Sequence, residues 1–347
     1  MNKFIFSCQA DSEQLCINEM RNINKDIKLL KWLDGGVGLA GYNAGNNFSE
    51  ISEIFREAKP VFLRHICPVD IETEVETEFE TEEIEGIISK YKKNICKNTA
   101  LSVQFRNKTE NNAYNIYNSK EIKDYIINYF KDDGYLYSKS NPEVIISVFT
   151  GENKIYAGMS KSEENLSIWS GGMRHYAFNN QIISRAEFKL LELFEYFPDL
   201  LKNPGTALDL GASPGGWTKI LAEKNFKVTA IDPNKLDCVL LSNPNIEYHK
   251  GLAENFENFI SKNKKFDLIV NDMRMYAVQS AKIMIKAHGY LKENGCAVMT
   301  LKLNKDNKTK TIKDALNILR EKYDVLFVKQ LFHNRLEVTV VLRKIFF

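Results

Sequence analysis

The second half of the chain shows a regular alternation of apolar and polar stretches. From Gln181 onward, short apolar runs typical of buried strands alternate with stretches whose apolar residues recur at helical spacing. The predicted strands are 207–210, 227–231, 266–270 and 297–301, and the predicted helices are 184–196, 217–223 and 277–291. This alternation predicts a mostly parallel sheet with helices on both faces. Two last strand patterns, 325–331 and 336–342, predict an antiparallel hairpin at the end of that sheet.

The first half has shorter and less regular elements. Strand patterns occur at 4–7, 29–32, 100–105, 144–149 and 154–158, with helical patterns at 11–20 and 119–130. We therefore divide the chain into a small α+β unit (1–50), an α/β module (51–161), a polar, glycine-containing linker (162–180) and the regular α/β domain (181–347).

Charge changes sign within the first half. Acidic residues fall on every second position of one stretch, which predicts an extended segment with carboxylates on one face: Asp70, Glu72, Glu74, Glu76, Glu78, Glu80 and Glu82. Such a face repels phosphate, so an RNA-binding surface would have to lie elsewhere. The next stretch is basic and gives the module a mildly positive side, through Lys90, Lys92, Lys93, Lys97, Arg106 and Lys108.

Composition limits the class of protein. The 347 residues are 44% hydrophobic and 27% charged, as in folded globular proteins, and the net charge is only +2, so a nucleic-acid surface has to come from local clustering. No apolar run approaches the ~18 residues of a membrane span, so we expect a soluble, cytoplasmic protein without membrane contact. The six cysteines are dispersed and form no zinc-binding pattern, which predicts reduced, mostly buried thiols and no structural metal.

The most informative motif is Leu208-Asp-Leu-Gly-Ala-Ser-Pro-Gly-Gly-Trp217. It places a glycine-rich turn between a strand and a helix, where a ligand can lie against bare backbone at the carboxyl edge of a sheet. The dinucleotide pattern GxGxxG is not met, because Ser213 occupies its second glycine position. Asp232 ends the next strand, where its carboxylate can accept hydrogen bonds from both ribose hydroxyls. The two features together predict nucleoside binding.

These residues closely resemble the S-adenosylmethionine-dependent RNA ribose 2′-O-methyltransferases of the FtsJ and RlmM type. The resemblance also includes Ser184 to Leu190, Val270 to Met273, Leu301 to Leu303, and Gln330 to Val340, and it spans roughly Gly171 to Lys344. It implies a C-terminal Rossmann-like class I methyltransferase with a mostly parallel seven-stranded sheet. The N-terminal half resembles, less specifically, the ferredoxin-like and THUMP modules of RNA-modifying enzymes, on Phe105 to Lys108, Asn118 to Lys120, Asn141 to Val148 and Lys154 to Gly158.

The resemblance implies a catalytic tetrad of Lys189, Asp272, Lys302 and Glu337. Because a ribose hydroxyl is a poor nucleophile, the enzyme must align it with the sulfonium methyl and remove its proton. We take Lys302 as the base, and expect its pKa to be depressed by desolvation and by Lys189, with the two acids orienting the lysines.

The resemblance also implies the residues that bind S-adenosylmethionine: Ser184, Gly211, Ala212, Ser213, Pro214, Gly215, Gly216, Trp217, Asp232, Leu252 and Asp272. Leu252 departs from the family, because relatives often carry an acid there for the adenine amine. A backbone carbonyl or Glu254 would have to replace it.

The expected acceptor is a ribose 2′-hydroxyl of structured RNA. Enzymes that methylate base nitrogens usually carry Asn/Asp-Pro-Pro-Tyr/Phe where this chain has Asn271-Asp-Met-Arg274. The RlmM resemblance favours large-subunit rRNA, and tRNA stays open. Two alternatives remain: a base methyltransferase acting on rRNA or tRNA, and an inactive RNA-binding protein that retains the cofactor fold. A basic run from Lys302 to Lys313 could hold substrate phosphates or could be a solvated loop.

Overall fold

The computed structural model describes residues 1–43, 45–74, 81–108, 119–151, 154–178 and 181–345. The chain divides into two compact units, Met1–Arg174 and His175–Phe347. The boundary between the two units therefore falls inside the segment 162–180 that was predicted as a linker. The first part of this segment forms 3₁₀ turns in unit 1, where the carbonyl of Ile168 accepts a hydrogen bond from Gln104.

Unit 1 begins with a four-stranded antiparallel sheet in the strand order β2-β3-β1-β4. Its elements are β1 (Asn2–Ser7), α1 (Glu13–Ile23), β2 (Lys28–Asp34), β3 (Val37–Tyr42), α2 (Phe48–Ala58) and β4 (His65–Val69). Helix α2 begins with a capping box between Asn47 and Glu50, and its apolar face places Phe55 against Phe4 of β1. The sheet includes β4, which lies beyond residue 50.

A five-stranded sheet follows, in the order β5-β9-β8-β6-β7. Its elements are β5 (Ile71–Glu74), α3 (Thr81–Lys92), β6 (Ala100–Asn107), α4 (Ser119–Asp132), β7 (Leu136–Tyr137), β8 (Val144–Gly151) and β9 (Lys154–Lys161). Apolar residues of α3, α4, β6, β8 and β9 form one buried cluster, so this sheet has its own core.

The acidic stretch is an extended segment only at its start. Glu72 lies on β5 and pairs with Lys154 at 2.9 Å and with Lys3 at 2.5 Å. Glu76, Glu78 and Glu80 lie outside the described residues. The prediction of an extended segment up to Glu82 is wrong, because α3 begins at Thr81 and residues there take up helical hydrogen bonding.

Unit 2 is a seven-stranded sheet in the order β12-β11-β10-β13-β14-β16-β15. Its elements are α5 (Ala186–Tyr196), β10 (Thr206–Leu210), α6 (Gly216–Glu223), β11 (Lys227–Asp232), α7 (Cys238–Leu241), β12 (Ile246–Lys250), β13 (Phe266–Asn271), α8 (Ala277–Ala287), β14 (Leu291–Lys302), α9 (Lys308–Leu319), β15 (Tyr323–Lys329) and β16 (Glu337–Lys344). The first five strands in this order are parallel, and β16 runs antiparallel to β14 and β15. This confirms the predicted parallel-rich sheet with a closing hairpin.

The strand order places the ligand edge at β10. The chain winds outward from β10 in both directions, to β11 on one side and β13 on the other, and such a reversal opens a crevice at the carboxyl ends of the strands. Because β16 is antiparallel, its first residue reaches the same edge: Glu337 is paired with Lys302, the last residue of β14.

Three of the six cysteines are buried, and none of the six forms a disulfide. Burial raises the pKa of Cys67 to about 12, so this thiol stays protonated. In the described part of the chain, no helix is long and apolar enough to cross a membrane.

Candidate active site

The glycine turn between β10 and α6 requires glycine at two positions. Gly211 and Gly215 have φ of +78° and +116°, which L side chains rarely adopt. A Cβ atom on Gly211 would lie 2.1 Å from Met273, and one on Gly215 would lie 2.2 Å from Leu240. Helix α6 begins at Gly216, so its unpaired amides and dipole face the turn. The glycines therefore allow Met273 and Leu240 to pack closely against the turn, where no larger residue would fit.

A buried hydroxyl without a partner lies against this turn. The Oγ of Ser184 is inaccessible to solvent and forms no hydrogen bond with any residue that the structure describes, and a Cβ on Gly216 would lie 2.2 Å from it. The carboxylate of Glu187 fixes this segment by accepting the backbone N–H groups of Ile183 and Ser184 at 2.7 and 3.2 Å. Because buried polar groups normally have partners, Ser184 fits a polar group of a bound ligand, as expected for a cofactor-binding residue.

Asp232 lies at the end of β11, next to the same turn. Its two carboxylate oxygens accept the N–H groups of Ser213 at 3.1 Å and Asn234 at 2.7 Å. Each oxygen keeps a further lone pair for a hydroxyl group. The hydroxyl of Tyr248 donates to the carbonyls of Asp232 and Asn234 and fixes the strand end.

Three other residues predicted to bind the cofactor differ in burial and in hydrogen-bond partners. The side chain of Trp217 is buried and donates to the carbonyl of Ala186 at 2.8 Å, so it supports the turn from the core side. The side chain of Ser213 is engaged with the carbonyl of Lys235 at 3.0 Å. Leu252 is 52% exposed at the end of β12, and its carbonyl already accepts the N–H of Asn255 at 3.0 Å.

The structure brings the four tetrad residues together at the carboxyl edge. Lys189 lies on α5, Asp272 directly follows β13, Lys302 ends β14 and Glu337 begins β16. The Nζ of Lys189 is 2.7 Å from Asp272 Oδ2 and 2.7 Å from Glu337 Oε1. The Nζ of Lys302 is 2.7 Å from Asp272 Oδ1 and also pairs with Glu337. Each lysine thus bridges both acids.

This arrangement sets the protonation states. Burial alone would raise the pKa of Asp272, but the two lysines lower it below its usual range. Burial alone would lower the pKa of Lys302, but Asp272 and Glu337 outweigh burial and raise the pKa. The prediction of a depressed Lys302 pKa is therefore wrong for this arrangement, because carboxylates and not Lys189 are its nearest charged neighbours.

Three further residues that hold the tetrad were not singled out from the sequence. Thr300 donates to Asp272 Oδ1 at 2.6 Å and accepts from Lys302 at 3.0 Å. Asn334, buried in the loop before β16, lies 3.5 Å from Glu337 Oε1. Glu192, one turn beyond Lys189, is buried and accepts the N–H groups of two residues of that loop. The only sequence signal was the position of Asn334 within a segment that resembles the family, Gln330 to Val340, and of Thr300 directly before another, Leu301 to Leu303.

Asp209 is an additional buried acid at this edge. It lies one residue before the end of β10 and accepts the hydroxyl of Thr218 at 2.6 Å. Burial raises the pKa of Asp209 to about 7. An acid within an otherwise apolar strand was the signal that could have singled it out.

The basic run after β14 is largely helical. Lys308 begins α9 and is buried, whereas Lys310 and Lys313 are exposed on the same helix. Within the described residues, no group of three or more His, Cys, Asp or Glu side chains could hold a metal ion.

Comparison with known proteins places this site in a family context. Residues 182–340 match the model of the FtsJ-like methyltransferase family. An uncharacterised protein of Methanocaldococcus jannaschii is 34% identical over 167 residues, which are 47% of this chain and 47% of that protein. The ribosomal RNA large subunit methyltransferase M of Halorhodospira halophila is 30% identical over 202 residues, covering 57% of this chain and 56% of that enzyme. The enzyme of the same name in Pseudomonas aeruginosa is 26% identical over 220 residues, 58% of this chain and 59% of its own length.

The chain thus spans about half to three fifths of the length of these curated relatives. The matched region contains the whole parallel part of the sheet, the glycine turn and all four tetrad residues. Residues 182–340 of this protein therefore match the FtsJ-like methyltransferase family and have a mixed α/β, parallel-rich fold.

Proposed function

We propose that this protein transfers a methyl group from S-adenosylmethionine to a ribose 2′-hydroxyl of RNA. The observation that carries the proposal is the closed cluster of Lys189, Asp272, Lys302 and Glu337 at the same sheet edge as the glycine turn. The RNA methyltransferases among the relatives support the class of substrate.

The cofactor would lie along the carboxyl ends of β10, β11 and β12. Bound S-adenosylmethionine supplies an activated methyl group on a cationic sulfur. The hydroxyl of Ser184 and the unpaired backbone amides at the start of α6 suit its amino-acid part, because both offer hydrogen-bond donors. Asp232 suits its ribose, and Leu252 offers an apolar surface to the adenine. The adenine amine then has to be met by Glu254 or a backbone carbonyl.

The tetrad would orient the acceptor and take its proton. Lys302 is held as an ammonium by two carboxylates, so it must lose a proton before it can act as a base. A positive charge nearby lowers a lysine pKa, and the methyl donor brings such a charge to this edge. Lys189 remains paired with both acids and keeps them in place when Lys302 becomes neutral.

Oxygen is the favoured acceptor. The sequence after β13 is Asn271-Asp-Met-Arg274 and lacks the paired prolines of enzymes that methylate base nitrogens. Instead, Asn271 is buried and bound to Ser280 at 3.0 Å, which leaves Asp272 as the polar group at the edge. A ribose hydroxyl needs a base, and the tetrad offers one.

We further propose that unit 1 presents the RNA. Its first sheet has the element order βαββαβ, typical of ferredoxin-like domains, and its second sheet follows directly, as in the THUMP-type modules that the sequence resembles. Such modules bind structured RNA by shape and backbone contacts, which fits a modest positive charge. Large-subunit rRNA is the preferred substrate because of the named activity of the relatives.

The decisive experiment is transfer of a labelled methyl group to total RNA from a strain lacking this protein, followed by alkaline hydrolysis. A 2′-O-methyl group prevents cleavage at its own linkage, so we expect label in alkali-resistant dinucleotides. Lys302→Ala, assayed in parallel, should give none. Assembled ribosomal subunits serve as a second substrate.

Two outcomes contradict the proposal. Label in ordinary mononucleotides would indicate methylation of a base. Absence of label from both substrates, with cofactor and RNA still bound, would indicate a binding protein that has lost its activity.

A further inference from the structure

Unit 2 carries a group of aromatic side chains outside the tetrad that the proposed chemistry does not use. We call it the aromatic surface: His175, Tyr176, Phe178, Phe332 and His333, with Phe188 beneath them. Phe178 is 71% exposed and His175 is also exposed, whereas Phe188 is buried. A cluster that is packed below and open above offers a binding surface.

The rings are held in a fixed arrangement. Tyr176 stacks on Phe188 with centroids 5.5 Å apart and planes 13° apart. The ring of His333 lies 5.0 Å from Phe188 and 5.4 Å from Tyr176, and Phe178 meets the edge of Phe188 at 6.3 Å. The hydroxyl of Tyr176 donates to Glu195 at 3.0 Å, which fixes the ring. The surface is therefore built in advance of any ligand.

The same contacts attach this surface to the tetrad. Phe188 immediately precedes Lys189 on α5, and Glu192 on that helix accepts the N–H groups of Phe332 at 2.8 Å and His333 at 3.0 Å. The loop that carries these two rings continues through Asn334 to Glu337. A ligand on the aromatic surface would thus lie beside the position where the ribose must be.

We propose that the aromatic surface stacks an unpaired base of the RNA next to the methylated ribose. This rests on the proposed function, and it adds that the acceptor strand is locally single-stranded. Flat aromatic and imidazole rings are the side chains on which splayed-out bases stack. Exposed arginines occupy the two elements that carry the rings, Arg185 at the start of α5 and Arg335 in the loop before β16, and they suit a phosphate backbone.

The test uses the full chain and an RNA oligonucleotide of about 12 unpaired nucleotides that contains the fluorescent base 2-aminopurine, whose emission falls on stacking. Phe178→Leu keeps an apolar side chain but removes the ring, and we expect binding to weaken roughly 5- to 150-fold with loss of the quenching. Phe178→Trp should bind within about threefold of the unchanged protein. Val239→Ala is the matched control, because Val239 is also 71% exposed but lies on α7 and is not part of the aromatic surface.

Circular dichroism and the affinity for S-adenosylmethionine should be the same in all variants, since Phe178 is on the surface. Equal binding and equal quenching in Phe178→Leu would overturn the inference, as would a loss shared by Val239→Ala. So would a change of oligomeric state on Phe178→Leu without any effect on RNA, because the surface would then bind protein. A failure of the proposed function alone would give a different result. The 2-aminopurine emission would still be quenched on binding, but the methyl-transfer assay would give no alkali-resistant label.

Discussion

At the scale of residues, the tetrad combines two positive and two negative charges in a largely buried site. Each lysine contacts both acids, so every charge has an opposite neighbour within hydrogen-bonding distance. Removing one member of a buried cluster leaves an uncompensated charge, which commonly destabilises a protein by about 3–5 kcal/mol. A catalytic loss on removal of Lys302 would therefore be ambiguous unless the charge is kept.

Lys302→Arg separates the role of Lys302 as a base from its role in neutralising the two acids. Arginine keeps the positive charge and can pair with Asp272 and Glu337, but it does not lose its proton in proteins. We expect the free energy of unfolding in urea to change by less than about 1.5 kcal/mol, and the methyl-transfer rate to fall roughly 10²- to 10⁴-fold. Retention of most of the rate by Lys302→Arg would contradict the role of Lys302 as a base.

The pH profile gives an independent check. Asp272 and Glu337 raise the pKa of Lys302 above its ordinary value of 10.5, so neutral lysine is scarce at pH 7 and becomes more abundant with each step in pH. The single-turnover rate should therefore increase from pH 6 to at least pH 8, close to tenfold per unit. The small residual rate of Lys302→Arg serves as the control and should be flat. A profile without slope from pH 6 to 9, with chemistry rate-limiting, would contradict the prediction.

The sequence could identify these four residues but not the sign of the pKa shift. Lys189, Asp272, Lys302 and Glu337 were assigned because each lies in a segment that resembles the family. Whether Lys302 is influenced more by a second lysine or by two acids depends on distances of a few ångströms between residues that are far apart in the chain. Desolvation does lower the pKa of Lys302, as predicted, but Asp272 and Glu337 raise it by more.

At the scale of elements, the loop between β15 and β16 fixes one side of the tetrad. Glu192 on α5 binds two backbone N–H groups of this loop, and Asn334 in the loop accepts from Leu331 N–H at 2.8 Å and from Thr339 at 3.1 Å. The hairpin therefore carries Glu337 in a set position relative to Lys189. Helix and hairpin act as one positioning element.

Glu192→Gln should disturb the position of Glu337 relative to Lys189 without changing the glycine turn. A glutamine has one acceptor oxygen where the carboxylate has two, so one buried N–H group loses its partner at a cost of roughly 1–3 kcal/mol. We expect kcat to fall several-fold and the Kd for S-adenosylmethionine to stay within about twofold. Glu321→Gln, at an exposed position, is the control for the loss of one charge. A change confined to cofactor affinity would contradict a positioning role.

Asp209 gives a prediction for strand β10. The pKa of Asp209 is about 7 in the fold and close to 3.9 in an unfolded chain. The unfolded chain therefore releases this proton first, and the group reduces stability as the pH rises from about 4 to 7. Asp209→Asn removes this titrating group. Between pH 5 and pH 8 the free energy of unfolding of the variant should therefore fall by roughly 2–3 kcal/mol less than that of the unchanged protein. Equal pH dependence in both proteins, measured by urea unfolding, would contradict the buried acid.

Elements with regular patterns were predictable, and those set by tertiary contacts were not. The predicted strands match β10, β11, β13, β15 and β16 to within two residues at each end, because their apolar runs are regular. Strand β14 begins at Leu291, six residues before its predicted start. Strand β12 was missed because its burial is partial and Glu247 and Lys250 interrupt it. Helix α9 was missed because its lysines obscured the apolar positions Ile312, Leu316 and Leu319 that bury it.

At the scale of the whole molecule, each of the two units has its own sheets and its own buried clusters. Unit 1 contains one cluster beneath α3 and α4 and another around Ile5 and Tyr156. Unit 2 contains a cluster around Trp217 and Leu193, where α5 and α6 pack on the seven-stranded sheet. Because a unit with its own core can fold alone, the chemistry and the RNA contacts can be tested apart.

Residues 175–347 on their own should therefore retain the cofactor site and lose the substrate. Ser184, the glycine turn, Asp232 and the tetrad all lie within this fragment, so we expect it to unfold cooperatively and to bind S-adenosylmethionine with a Kd within about threefold of that of the full chain. Unit 1 is the proposed RNA-presenting part, so methylation of structured RNA should fall by at least about 100-fold. Methylation of a short unpaired oligonucleotide should fall less, because the fragment keeps the aromatic surface that would bind it. Full activity of the fragment on structured RNA would contradict the role proposed for unit 1, whereas loss of cofactor binding by a folded fragment would contradict the assignment of the site to unit 2.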